Sequence, residues 1–272
     1  MNIFKKLFLL SFFPFLLHAE FPEISFSFLP QKHLVPLFPA NSTEHRITLT
    51  KILEMSNYTG GMGGNLPIVD ISSPYLNGQF SVAGTFYAHL KKIGRHVQVI
   101  TGDFFVDFML DVAINENLSL RFGVGHTSQH FVDDAFEILG YQNSLNYVRD
   151  YVKFFGIQKI PLIRGFVYGG FYYNYLFVIT HKVDNRWIFQ IGSEMFNVPI
   201  TPLLTFYTGF DIKFRGELNF ATSQNYQVGI KLGDGNSNTV RFAYNYRTGL
   251  EERGQFYNQY VRWNTLGIYF DF

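Results

Sequence analysis

The 272-residue chain has no cysteine, so a disulfide framework and a thiolate metal centre are both excluded. It also lacks an excess of charge. Its 22 Lys and Arg against 21 Asp and Glu give a formal net charge of +1. Phosphate-backbone binding needs a concentrated basic surface, so nucleic acid is not an expected partner. Long apolar runs are missing too. Past the N-terminal region, no stretch reaches the roughly 18 uninterrupted apolar residues of a helical membrane span. No phosphate-cradling glycine loop, nucleotide motif or metalloprotease motif occurs. The run Gly60-Gly61-Met62-Gly63-Gly64 has no helix pattern after it and reads as a flexible loop or strand start.

What is present is aromatic. Phe and Tyr number 32 and 17, and hydrophobic residues make up 47% of the chain. Mean hydropathy is nevertheless close to zero, so apolar and polar residues must be interleaved. That mixture suits strands with one face in lipid and the other in a polar lumen. The first 19 residues have the form of a signal peptide: Lys5 and Lys6, an apolar stretch Leu7 to Leu17, and a Leu17-His18-Ala19 cleavage site before Glu20. Export by the Sec route to the outer membrane is the expectation.

The last segment alternates. Leu266, Ile268, Phe270 and Phe272 share one face, and Gly267, Tyr269 and Asp271 share the other. Thr265 to Phe272 also resembles the C-terminal signal that barrel-assembly machinery recognises, which makes that machinery an expected partner. The same period recurs upstream. Phe104, Val106, Phe108, Leu110 and Val112 alternate with a face bearing Asp103, Asp107 and Asp111. Three carboxylates on one strand face require water or cations. Arg149 and Lys153, on the polar face of a later strand, can supply those cations across a lumen.

Twelve such segments can be counted, at about 44–53, 64–71, 78–90, 101–114, 117–130, 145–157, 162–174, 186–196, 203–214, 223–232, 238–247 and 260–272. The expected fold is an all-β antiparallel transmembrane barrel of about twelve strands, with ten as the alternative because the first two segments are weak. Residues 20–43, with four prolines, read as an extended lead-in. No second domain is apparent. An even count puts both termini on the periplasmic side. The short connections at 115–116, 158–161, 197–202 and 233–237 then fall at periplasmic ends. The longer ones at 131–144, 215–222 and 248–259 fall at extracellular ends. Gly249 and Gly254, around Glu251-Glu252-Arg253, read as loop punctuation.

One strand departs from the simple rule. Leu118, Leu120, Phe122 and Val124 form its lipid face, yet the same parity continues as His126, Ser128 and His130, with Asp133 and Asp134 following. Unless a bulge at Gly123 or Gly125 turns them into the lumen, these side chains sit on the outer wall near the extracellular rim. A hairpin centred near 138 puts His126 opposite Asp150 and His130 opposite Asn146. Three roles stay open. His126, Ser128 and His130 can be interfacial residues of the kind common at membrane boundaries. Ser128, His126 and Asp150 can be nucleophile, base and orienting group. His126, His130, Asp133 and Asp134 can hold a divalent cation.

His126 and Ser128 resemble the H-x-S motif that outer-membrane phospholipase A and the lipid A deacylases carry on an outward barrel face; Gln129 stands where those families have Asn. That resemblance implies acyl-ester hydrolysis of outer-membrane lipids. His126-Thr127-Ser128-Gln129-His130 with Asp133-Asp134 is also similar to the H-x-S-x-H-x-x-D-E signature of an uncharacterised bacterial family of exported, barrel-like proteins. Leu37-Phe38-Pro39-Ala40, Asn146 to Asp150 and Gly254 to Tyr257 fit the same family pattern. Asp134 replaces its usual Glu and Val132 a usual Gly. That resemblance implies a barrel and no particular reaction. The alternative to a lipid hydrolase is a passive barrel: a narrow pore, a surface-binding scaffold or a structural envelope protein.

Overall fold

The computed structural model describes residues 23–140, 145–179, 182–233 and 238–272. The expected signal peptide lies outside the described residues. The elements are β1 Ser25–Phe28, β2 Ile47–Ile52, β3 Asn57–Ser73, β4 Leu76–Ile93, β5 His96–Ala113, β6 Leu118–Phe131, a short helix α1 Asp133–Leu139, β7 Tyr147–Ile160, β8 Gly165–Val178, β9 Trp187–Thr201, β10 Leu204–Arg215, β11 Ala221–Leu232, β12 Thr239–Leu250 and β13 Tyr260–Asp271. No described helix is long and apolar enough to cross a membrane.

From β3 onward each strand pairs antiparallel with the next, and β2 joins β13 to β3, closing a barrel of twelve strands, β2 to β13. Closure leaves no long unpaired edge for backbone groups to meet lipid. The transmembrane barrel expected from the alternation is what the chain forms. Phe104, Val106, Phe108 and Leu110 are exposed on the outside, while Asp103, Phe105, Asp107, Met109 and Asp111 are buried inside. Leu266, Ile268, Phe270 and Phe272 continue the outer apolar surface on the last strand. An apolar belt of this extent is a lipid-facing surface.

Two details differ from the sequence reading. The glycine run at 60–64 lies inside β3, because the wall there is crowded. A Cβ on Gly61 would sit 2.7 Å from the Tyr87 ring, and one on Gly64 would sit 2.4 Å from the Phe272 ring. The lead-in is also more structured than expected. Ser25–Phe28 forms β1 and pairs with β3 through Ser25↔Ser72 to Phe28↔Val69. The chain then turns into the barrel, where Val35, Phe38, Asn41, Glu44, His45 and Arg46 are buried.

This inner segment is anchored at both polar and apolar points. Phe38 stacks on Tyr168 with ring centroids 3.7 Å apart and packs against Phe155 and Phe166. Arg46 donates to the Phe38 and Pro39 carbonyls. His45 meets Asp107 at 2.7 Å. Lys213, on β10, donates to Asn41 Oδ1 at 2.8 Å and to Thr43 Oγ1 at 3.0 Å.

Near the other end of the wall, Arg241 is fully buried. Its guanidinium forms a two-point ion pair with Asp271 and also donates to Tyr207 and Gln227. Removing one partner of such a pair leaves an uncompensated buried charge. Arg46 remains 3.7 Å from Asp271, so Arg241→Met is expected to destabilise the barrel by about 3 kcal/mol, the low end for a broken buried pair. The check is the urea midpoint of the protein refolded in detergent, read by heat-modifiable gel mobility. A midpoint equal to that of the unmodified protein would show that Asp271 is satisfied without Arg241.

Candidate functional site

The lumen is filled rather than open. Besides the segment at 30–46, the loop after β12 folds inward, burying Glu251, Glu252, Arg253 and Gln255. The sequence reading of this stretch as loop punctuation is corrected here. Gly254 lies against the wall so closely that a Cβ would fall 1.9 Å from Gln129 Oε1. Gln255 Nε2 donates to the carbonyls of Gln129 at 2.8 Å and Leu145 at 2.7 Å. Glu252 pairs with Lys213 and accepts from Asn225, and Ser42 of the N-terminal segment donates to it. The two inserted segments thus meet at one carboxylate. Interior cavities of about 50 and 40 Å³ remain, room for a few waters.

Asp103, Asp107, Asp111, Arg149 and Lys153 all project into this interior. Lys153 reaches Asp107 Oδ2 at 2.7 Å, and the Tyr151 hydroxyl donates to Asp107 Oδ1 at 2.9 Å. Asp111 is held by both Nε and Nη2 of Arg121, at 2.7 and 2.8 Å. Arg149 lies near the Tyr147 and Tyr151 rings. Both Asp103 carboxylate oxygens are buried without a hydrogen-bond partner among the described residues. Sequence reasoning missed Arg121, Lys213, Arg215 and Arg241. The signal was available, since each stands at the inward parity of its strand.

On the outer wall, β6 runs between β5 and β7 without a register shift at Gly123 or Gly125. His126, Ser128 and His130 consequently keep the lipid-face parity, with Arg121, Thr127 and Gln129 buried on the inward one. The register pairs His126 with Asp150, and His126 Nδ1 lies 2.6 Å from Asp150 Oδ1. Ser128 Oγ lies 2.6 Å from His130 Nε2. The nucleophile candidate is therefore bonded to His130 and not to His126, while the carboxylate is bonded to His126. The β6–β7 ladder ends at Gln129↔Tyr147, one position short of the expected His130 and Asn146 pair.

Asp133 and Asp134 open α1, and their side chains lie outside the described residues. Among the described residues no group of three or more His, Asp or Glu is placed to hold a metal ion. Residues 126–129 are paired on both sides by β5 and β7. Their backbone N–H groups are spent on the ladders and are not free to form an anion-binding hole.

With the geometry in place, comparison with known proteins adds a family. The family described as "Protein of unknown function (DUF1207)" matches residues 40–272. The chain belongs to that family. None of the curated proteins matches. Among solved structures, the chain is similar to the KdgM porin, with a TM-score of 0.46 and 9% identity over 84% of this chain and 98% of that one. It is also similar to the translocator domain of the autotransporter NalP from Neisseria meningitidis, with a TM-score of 0.38 and 10% identity over 86% of this chain and 91% of that one.

The double plug carries a pH dependence. Glu252 lies in the inserted loop, outside the strands. Burial alone would raise its carboxyl, but Lys213 and Arg247 outweigh burial and hold it at about 2, against an ordinary value of 4.5. A depressed carboxyl stabilises the folded plug fully above 4.5 and loses that contribution as pH falls toward about 2. In a planar bilayer, conductance events are expected to be rare at pH 7 and to increase across that acid window. Glu252→Gln should show them at pH 7. Conductance that ignores both pH and this substitution would mean that the Lys213–Glu252 contact does not hold the plug.

Proposed function

We propose that this protein resides in the outer membrane and hydrolyses acyl esters of outer-leaflet lipids, with Ser128 as nucleophile, His126 as general base and Asp150 as the group that orients His126. One observation carries this reading. A histidine–carboxylate pair at 2.6 Å, joined across strands, faces outward on the same strand face as a serine two residues away. Asp150 at Nδ1 fixes the tautomer that leaves the other ring nitrogen as the acceptor.

In the resting geometry the Ser128 hydroxyl rests on His130. Rotation about its Cα–Cβ bond turns the oxygen along the same face toward His126. Ser128 Oγ then attacks the ester carbonyl while its proton passes to His126. Collapse of the tetrahedral intermediate breaks the acyl–oxygen bond, and His126 returns the proton to the departing alcohol. Water, activated by the same base, releases the fatty acid and restores Ser128. His130, with Asp133 and Asp134 at the start of α1, is the group set that meets the lipid headgroup or a divalent cation bound with it. The polar cluster stands in the extracellular-end part of β6, where an outward polar group costs least. Export, the C-terminal assembly signal and the encounter with barrel-assembly machinery belong to this same proposal.

The charges that line the interior favour a second reading, a gated narrow pore in which they set ion preference. Asp107→Asn would then change cation preference in a bilayer, which lipid hydrolysis does not require.

The test of the first reading is fatty-acid release from phospholipid and from lipid A by the purified protein in detergent. Ser128→Ala is expected to reduce release to background. His126→Ala and Asp150→Asn should lower kcat by about 10²–10⁴-fold, the usual contribution of a positioned acid–base group. Undiminished release by Ser128→Ala would remove Ser128 from the chemistry. A loss confined to His130→Ala, with His126→Ala fully active, would transfer the base role to His130.

A further inference from the structure

At the end of the barrel where β13 finishes, the inserted N-terminal segment and the wall enclose a cleft of about 510 Å³. That volume falls within the range of small-molecule sites. Its lining is unbalanced in charge. Lys32, Lys159, Arg164, Lys231 and Arg241 face it, against Glu194 and Asp271. Two of the five cations are committed, Arg241 to Asp271 and Lys231 to Glu194. The side chains of Lys32, Lys159 and Arg164 make no hydrogen bond or ion pair among the described residues.

These three come from two unrelated parts of the chain. Lys32 belongs to the inserted segment, whereas Lys159 and Arg164 flank the turn between β7 and β8. Folding brings these three exposed cations to one cleft, whose carboxylates Glu194 and Asp271 are paired with Lys231 and Arg241. Elsewhere in the interior the strand charges are mostly offset locally, as at Asp107, Asp111 and Glu252. The remainder of the lining mixes apolar residues, including Leu34, Leu37 and Phe166, with His33, Asn197 and Thr239.

We infer that this cleft binds an organic anion, its carboxylate or phosphate group held by Lys32, Lys159 and Arg164 and its apolar part against Leu37 and Phe166. Arginine and lysine in combination recognise such oxyanions through charge-assisted hydrogen bonds. In the orientation set by the strand count, the site opens to the periplasmic side, at the opposite end of the barrel from Ser128. The bound anion bridges the inserted segment to the wall, so its binding stabilises the plugged form. The inference stands independently of the hydrolase reading.

The experiment measures thermal unfolding of the full-length protein by tryptophan fluorescence. One arm is neutral detergent with inorganic phosphate or citrate added. The other is phosphatidylcholine vesicles with or without phosphatidylglycerol. A rise in midpoint with phosphate or citrate assigns a free anion. A rise only with phosphatidylglycerol assigns a lipid headgroup. The Lys159→Gln/Arg164→Gln variant alters exposed, unpartnered side chains and keeps the fold. Its apparent affinity for the effective probe should be weaker by about tenfold or more. Lys32→Gln should weaken binding in the same direction, and Ser128→Ala should leave it unchanged. No rise with any probe, or equal rises in the unmodified protein and the variants, would overturn the assignment.

Discussion

Most charged side chains that point into this narrow barrel find a counter-charge inside it, Asp103 being an exception. Water is scarce there, and an unpaired ion in a poorly hydrated interior costs several kcal/mol. This constraint organises the molecule. Asp107 draws in Lys153 from β7 and His45 from the N-terminal segment. Glu252 draws in Lys213 from β10 and the Ser42 hydroxyl from that same segment. The two insertions are therefore tied into the wall's charge network and are part of the fold. Arg46 and Arg241 extend the network to Asp271 on the final strand.

The same constraint explains which parts of the structure were legible in the sequence. Strand positions were readable because the period of two reports face directly, and the middle of the outer face is apolar. Phe104 to Leu110 on β5 and Leu266 to Phe272 on β13 illustrate the rule. The pairing of His126 with Asp150 was readable as well, since a hairpin centred near 138 sets the register of both strands, even across the long connection that holds α1. The filling of the lumen was not. Residues 30–46 and 251–259 have no periodicity, and their places are set by contacts more than a hundred residues away, such as Ser42 to Glu252 and Gln255 to Gln129. Nor could spacing decide whether Ser128 bonds to the imidazole before it or the one after it, because both lie two residues away on the same face.

The outer cluster differs from the other outward polar positions in pairing a histidine with a carboxylate. His126, Ser128, His130 and Asp150 occupy outward positions toward the strand ends, where the outer parity also carries Gln224, Thr248, Arg262 and Asn264. Each polar group has a partner within the cluster, which limits the cost of facing lipid. A purely structural surface would reach the same end at less cost with apolar residues. The placement of a carboxylate there is the physical reason to look for chemistry at this point on the wall.

Inside and outside are also connected at that point. Gln129 lies between Ser128 and His130 in the chain and faces the lumen. Its carbonyl accepts a hydrogen bond from Gln255, and Gly254 is packed against its side chain. Leu145, near the start of the strand that carries Asp150, is held by the same glutamine through both its N–H and its carbonyl. One inserted side chain thus braces the upper parts of β6 and β7 together. That brace adds to the ladder that already holds the Ser128 and Asp150 backbones. The loop that fills the lumen is thereby bonded to the two strands that carry the outer His126, Ser128 and Asp150.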